Sequence, residues 1–157
     1  MEQAYLAYLE LLDEVSRNLE RLRGLALQKS DAVRANDLIA LDQVIRQEQA
    51  LSLHLRGLEQ KRTRQLGALG LAQTPLSALA AAYPPQLQMQ AKQSVEDLQQ
   101  QYTLYRGAAE VARDTLECNL HEIEKVLAGL DGAGPAGPGY TSPGAEPPAA
   151  MKTDFRA

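Results

Sequence analysis

The sequence predicts an all-α fold: an elongated antiparallel helical hairpin or bundle with coiled-coil-like seams, a short connecting helix and one long C-terminal helix. Composition is the first reason, because Leu, Ala, Gln, Glu and Arg dominate while Trp is absent and aromatic residues make up only 4% of the chain. Periodicity is the second, since apolar residues recur at alternating gaps of three and four. The third is that prolines stand between or after the periodic segments.

The first helix is predicted to run from about Gln3 to about Ala35. Lys29 interrupts its apolar seam, which resumes at Val33. A seam of this spacing packs lengthwise against another helix. The earlier seam residues are Tyr5, Tyr8, Leu12, Val15, Leu19, Leu22 and Ala26.

A turn is predicted at RANDLIALDQV, because Asn36 or Asp37 can accept hydrogen bonds from the free N–H groups of a new helix. One continuous helix is the alternative, since no proline interrupts this stretch. With the turn, the first two helices form an antiparallel hairpin. The second helix begins with Leu38 and Leu41 on its apolar face and continues to Leu66.

Two further helices follow. Thr74 is the expected N-cap of a short one, with Pro75 at its first position and Pro84 and Pro85 ending it. The longest helix then runs from about Pro85 to about Leu130, about 65 Å at about 1.5 Å per residue.

The seam of this last helix slips by one position near Asn119, a stutter that changes how the helix faces its partner. Small residues at its centre, including Ala108 and Ala112, predict the close approach of another backbone. The seam comprises Ala91, Val95, Leu98, Tyr102, Tyr105, Ala109, Ala112 and Leu116, then Leu120, Ile123, Leu127 and Leu130.

The chain is predicted to divide into a helical bundle domain, residues 1–131, and a Gly/Pro-rich tail, residues 132–157. The tail lacks periodicity and is expected to be disordered in the free protein, because it cannot bury enough apolar surface to offset the entropy of ordering. Its Tyr140, Met151 and Phe155, the last the only Phe of the chain, are interpreted as anchors for a partner protein. A solvated terminus without a role is the alternative interpretation.

No pattern indicates catalysis, a cofactor or a metal, so the chain is predicted not to be an enzyme. In LECNLHEIE the residues Glu117, Cys118 and His121 lie on adjacent helical turns, but a metal site needs more ligands. A solvated helix face is the preferred interpretation there. The same interpretation is given to the basic run of Lys61, Arg62 and Arg64.

The formal net charge of -4 argues against nucleic acid as a partner. The acidic N-terminal segment is unlike a signal peptide, and no apolar run approaches the roughly 20 residues that span a bilayer. A single cysteine fits a reducing compartment. The sequence therefore predicts a soluble cytoplasmic protein without membrane insertion.

The leucine-rich first helix, ANDLIALDQVIRQEQAL and LEQKRTRQLGALGL together resemble the FlgN family of flagellar export chaperones. The long final helix and a tail with Tyr140 before Gly144, closed by KTDFRA, are also similar to that family. The chain departs from the family's asparagine-leucine repeat, having YTLYRGAAEVARDTLECNL in its long helix.

The resemblance implies a cytoplasmic chaperone that binds hook-filament junction proteins of the FlgK and FlgL type and delivers them to the flagellar type III export gate. It places client docking on Leu116, Leu120, Ile123, Leu127 and Leu130, and contact with the gate on Tyr140. Met151 and Phe155 complete the predicted partner-binding residues. The alternative is a structural coiled-coil adaptor that self-associates, and the seams also allow a homodimer.

Overall fold

The computed structural model describes residues 1–130, which contain four α-helices and no strand. These are α1 (Glu2–Arg34), α2 (Leu38–Ala68), α3 (Leu76–Leu79) and α4 (Gln88–Leu130), with a 3-10 turn, Ala80–Ala82, after α3. The predicted all-α class, with its hairpin, short connecting helix and long final helix, is confirmed. Tyr140, Met151 and Phe155 lie outside the described residues.

A tight turn separates α1 from α2, so the alternative of one continuous helix is wrong. Asn36 adopts a left-handed conformation with φ 53°, which Asn tolerates better than most residues. Its N–H donates to the carbonyl of Val33 at 3.1 Å, and the N–H of Asp37 donates to that of Ala32 at 2.9 Å. The Asp37 carboxylate then caps α2 by accepting from the N–H of Ala40 at 3.0 Å.

Helices α1 and α2 run antiparallel along their whole length. Near the turn, Lys29 of α1 forms an ion pair of 2.7 Å with Glu48 of α2. At the far end, Nη1 of Arg62 donates to the hydroxyl of Tyr8 at 3.4 Å. The two contacts fix the pairing of the hairpin at both ends.

Arg62 corrects the prediction that the whole basic run is solvated. Lys61 and Arg64 are exposed, but Arg62 turns inward and its Nε donates to both carboxylate oxygens of the buried Glu59, at 3.1 and 3.2 Å. Burial alone would lower the pKa of Arg62, but Glu59 and Tyr8 raise it, and the net shift is upward. Burial in turn raises the pKa of the Tyr8 hydroxyl.

Helix α4 lies parallel to α1, on the side that α2 leaves open. Just before α4, the Tyr83 hydroxyl donates to the carbonyl of Tyr5 at 3.3 Å, and the two rings meet edge to face with centroids 4.7 Å apart. Further along, Ala26 packs on Ala108 and Ala112. The predicted close approach at small residues is thus observed, and it is made to α1.

The core is organised around α1, which α2 and α4 flank. The predicted seam of α1 is buried from Tyr8 onward, with Tyr5 packed at its edge. A second set of α1 residues is buried as well, because a helix flanked on two sides has a wider covered arc. This set consists of Leu9, Leu11, Ser16, Asn18, Leu25, Ser30 and Ala32.

Two predicted helix starts need correction. Thr74 is not an N-cap, because α3 begins at Leu76 after an extended Pro75 (ψ 154°) and has no side-chain cap. Helix α4 begins at Gln88 rather than Pro85. The intervening residues form a separate turn in which the N–H of Leu87 donates to the carbonyl of Pro84 at 2.9 Å.

Candidate partner-binding site

Helix α4 continues beyond the end of α1. The last turn of α1 lies beside residues 111–122 of α4, because Val33 and Arg34 line an open cavity of about 420 Å³ together with Cys118 and Glu122. Every residue from 120 to 130 is exposed. We call these eleven residues, about 16 Å of helix, the free segment. Its first residues, up to Glu122, still lie beside the end of α1, and the rest of the free segment continues past that end.

The predicted client-docking residues lie on and just before the free segment. Leu116 is half-buried, whereas the other four are between 45% and 76% exposed. Their four-three spacing places all five on one face of the helix, and we call this set the apolar stripe: Leu116, Leu120, Ile123, Leu127 and Leu130.

The apolar stripe continues the face by which α4 packs onto the hairpin. Leu98, Tyr105 and Ala112 recur every seven residues on that face; Leu98 and Ala112 are buried and Tyr105 packs against the core. Leu116 follows Ala112 by one helical turn. Burial therefore ends at about the level where α1 ends, and beyond it the described stripe residues are exposed, Leu120 and Ile123 at 45% and Leu130 at 76%.

Val126 was missed by the sequence analysis, which followed only the four-three seam. It is 62% exposed and lies three residues after Ile123 and four before Leu130, so it widens the apolar stripe along one edge. Its spacing of three and four residues from Ile123 and Leu130 could have identified Val126 as part of this face from the sequence.

The first turn of α2 also carries exposed apolar side chains. Leu38 and Ile39 are 75% and 76% exposed, although the sequence analysis placed Leu38 on the apolar face of the helix. Both lie at the hairpin turn, the end from which the free segment projects. Ile39 shares its side of α2 with the exposed Asp42 and Arg46, whereas the three-residue spacing from Leu38 to the half-buried Leu41 gave no sign that Leu38 is exposed.

The charged groups near the apolar stripe are mostly acidic. Glu117 and Glu124 border one edge of the stripe, and Glu122 lies beyond the other edge. The carboxylate of Glu117 accepts a hydrogen bond from Nε of Arg113 at 3.4 Å. Lys125 is on the opposite face. Arg113, paired with Glu117, and Arg34, which lines the same cavity as Glu122, offset part of this negative charge.

Cys118, His121 and Glu122 are exposed. In the part of the chain that the structure describes, no three His, Cys, Asp or Glu residues are grouped so that they could hold a metal ion. None of the helices in residues 1–130 combines the length and apolarity needed to cross a membrane.

Comparison with known proteins gives one match. A family model described as FlgN protein matches residues 1–148, which include all four helices and Tyr140 but not Met151 or Phe155. No curated protein and no solved structure matches the chain.

Proposed function

The chain belongs to the FlgN family of flagellar export chaperones, and from this premise we propose that it serves hook-filament junction proteins of the FlgK and FlgL type. In this role it binds the client in the cytoplasm, prevents its premature association and delivers it to the type III export apparatus. The chain acts by binding and carries out no reaction.

The observation that supports this proposal is the uncovered apolar stripe. An exposed apolar face on a long helix suits a partner helix that lays its own apolar face against it. The terminal helix of a junction protein is amphipathic and unpaired before assembly, so the stripe offers it a complementary surface. The client helix would then occupy the place that the hairpin occupies along the first half of α4.

The tail residues have a second role in the proposal. Tyr140, which lies within the family match, contacts the export gate. Met151 and Phe155 add contacts to the client. Sparse anchors of this type give reach and reversibility at low affinity per unit of buried area.

The test replaces Leu120 and Leu127 together by Ser and measures the affinity for a FlgL-type protein by isothermal titration calorimetry. Loss of well-packed anchors costs about 2 kcal/mol or more, so binding should weaken by about 30-fold or more. The thermal midpoint should stay unchanged, because both side chains are exposed.

Leu53→Ser is the matched control, since Leu53 is 68% exposed on α2 and lies outside the stripe. It should bind the client like the original chain. A larger loss of client affinity in Phe155→Ala than in the double variant would show that the main client site is in the tail.

A self-associating adaptor is the second candidate function, because the four-three spacing of the stripe also suits a second copy of the chain. Analytical ultracentrifugation separates the two. A tight homodimer that an added FlgL-type client leaves intact favours the adaptor, and a monomer or a dimer that the client dissociates favours the chaperone.

A further inference from the structure

The cavity between α1 and α4 opens on a side of α4 that the proposed client site does not use. The last turn of α1 forms one wall, and Val111 and Cys118 are among the residues of α4 that form the other. Cys118 lies two residues from Leu116 and two from Leu120, about 200° round the helix from each. The cavity and the apolar stripe are therefore separate surfaces.

The cavity offers apolar side chains to an occupant. Val33 is buried in its wall, whereas Val111 is 47% exposed. Leu27, which is 46% exposed, precedes Arg34 by seven residues and so lies on the same side of α1, about 10 Å away along the helix. We call the cavity together with Leu27 the α1–α4 groove.

The charged groups around the cavity are acidic in excess. Asp114 and Glu122 line it together with Arg34, which pairs with Asp31 at 3.6 Å. Within residues 1–130, neither Asp114 nor Glu122 forms an ion pair. The groove therefore suits an apolar side chain with basic residues beside it.

The chain itself contains such a segment after the described residues. Phe155 is the only Phe of the sequence. Lys152 and Arg156 are the only basic residues after Leu130, and both lie within three residues of Phe155, with one acidic residue, Asp154, between them. The single Phe and the positive charge of the tail thus occur together.

The length of the chain after Leu130 allows this segment to reach the groove. Cys118 lies twelve residues before Leu130, about 18 Å back along α4. The 25 residues from Leu130 to Phe155 span at most about 80 Å when extended. Met151, four residues before Phe155, lies at most about 14 Å from it, and it can contact Leu27 while Phe155 occupies the cavity.

We propose that residues 151–156 dock in the α1–α4 groove of the same chain, with Phe155 in the cavity and Met151 against Leu27. Phe155 is the main anchor, because an aromatic side chain can bury about 150–250 Å² of surface. The two basic side chains beside it face the acidic rim of the cavity. This docking goes beyond the proposed function, since it concerns the free chain and leaves the apolar stripe open.

Fluorine NMR of the full chain with para-fluorophenylalanine tests the docking, because the single Phe makes the signal specific for position 155. The signal should be displaced from that of a synthetic peptide of residues 148–157, and it should stay unchanged on dilution of the protein. A signal identical to that of the peptide would overturn the docking. A signal that changes on dilution would overturn the same-chain contact and show docking in a second copy.

Val111→Ser tests the location of the contact. It should lower the ratio of docked to free tail about fivefold or more, seen as a shift of the signal toward that of the peptide. The double variant with Leu120 and Leu127 replaced by Ser is the matched control and should leave the signal in place. Thermal melts show that each variant is folded. A shift in the stripe variant alone would place the tail on the stripe and overturn the cavity.

Replacing Asp114 by Asn and Glu122 by Gln tests the role of charge. The docked-to-free ratio should fall about threefold in low salt, and the difference from the original chain should vanish in high salt. An unchanged ratio in low salt would overturn the contribution of the acidic rim.

Cys118 provides an independent measurement, because it is the only Cys of the chain, is exposed and lines the cavity. Phe155→Ala should speed its alkylation by N-ethylmaleimide severalfold, since thiol reactivity depends on access. Tyr140→Ala, which removes a tail aromatic without basic neighbours, should keep the original rate. Equal rates in Phe155→Ala and the original chain would contradict the docking. None of these measurements involves a client, so their failure would leave the proposed function standing.

Discussion

Lys29 shows at the scale of one residue why a break in an apolar seam need not be a defect. Its Nζ donates to Oε1 and Oε2 of Glu48 at 3.0 and 2.7 Å, and both side chains are only 19% exposed. The charge that interrupts the α1 seam therefore meets an opposite charge on α2. The charge of Glu48 also helps to raise the pKa of the Tyr105 hydroxyl on α4.

Lys29→Ala should destabilise the protein by about 1–3 kcal/mol, because it leaves the partly buried Glu48 carboxylate without this partner. Replacing Lys29 and Glu48 together by Met should recover most of the loss, since an apolar pair of similar volume needs no desolvation of charge. Urea denaturation measures both values.

The exposed pair of Asp42 and Arg46 provides the control for this experiment. Its distance of 3.0 Å is similarly short, but both side chains are mostly exposed. Arg46→Ala should therefore cost about 0–1 kcal/mol. A loss as large as that from Lys29→Ala would show that burial is not the deciding factor.

Tyr105 makes stability sensitive to alkaline pH. Burial first, and then the negative charge of Glu48, raise the pKa of its hydroxyl from the ordinary 10 to about 12. Between these values the unfolded chain releases the proton while the folded chain retains it. The stabilisation is thus complete below pH 10 and is lost as the pH rises toward 12.

Tyr105→Phe should flatten the alkaline loss of stability. Between pH 10 and 12 the original chain should lose up to about 1.4 kcal/mol per pH unit more than the variant, the value for one proton. Urea titrations at several pH values give the slopes. Parallel slopes for the two proteins would contradict a raised pKa at this position.

At the scale of the element, α1 is the helix on which the others depend. The sequence predicted one buried seam on α1. The buried arc is wider than this seam, because α2 and α4 both pack on α1. Its contact with α4 changes character along its length. Near the start of α1 the contact consists of leucine and tyrosine side chains. Near the end of α1 it consists of Ala26, Ala108 and Ala112, whose small side chains let the two backbones approach closely.

Ala112→Leu should destabilise the protein by about 1–3 kcal/mol, since Ala112 is fully buried against α1 and a larger side chain forces the helices apart. Ala128→Leu makes the same change on the exposed free segment of α4 and should stay within about 0.5 kcal/mol. Thermal unfolding followed by circular dichroism compares them. Equal midpoints would show that the close approach is not tightly packed.

At the scale of the whole molecule, burial is distributed unevenly. The buried residues of α4 end at Ala112, and none of its last eleven described residues is buried. Local opening costs least where few apolar contacts are lost. The molecule therefore combines a packed scaffold with a helical end that has few apolar contacts within the described chain.

Hydrogen exchange should follow this distribution. Backbone amides of α1 should be the most protected, and protection along α4 should fall steeply after about Leu116. A FlgL-type client should raise protection in the free segment. Uniform protection along α4 in the free protein would contradict the distribution.

The sequence by itself determined the class of the fold and most element boundaries. The helix content and the turn near Asn36 follow from apolar spacing and from residues that cap or interrupt helices, and these are local properties. The residues of the apolar stripe were also found this way. Thr74, by contrast, was assigned a capping role that the extended Pro75 removes.

Only the tertiary structure decided which apolar faces are covered. The four-three seam of α4 is continuous in sequence, yet it is buried as far as Ala112 and exposed from Leu120 onward. Likewise, Leu38 resembles a core residue in sequence but lies at the hairpin turn. Local spacing shows that one face of a helix is apolar. Whether another helix covers that face depends on the relative lengths of the helices and on how they pair, and both are decided only when the chain packs.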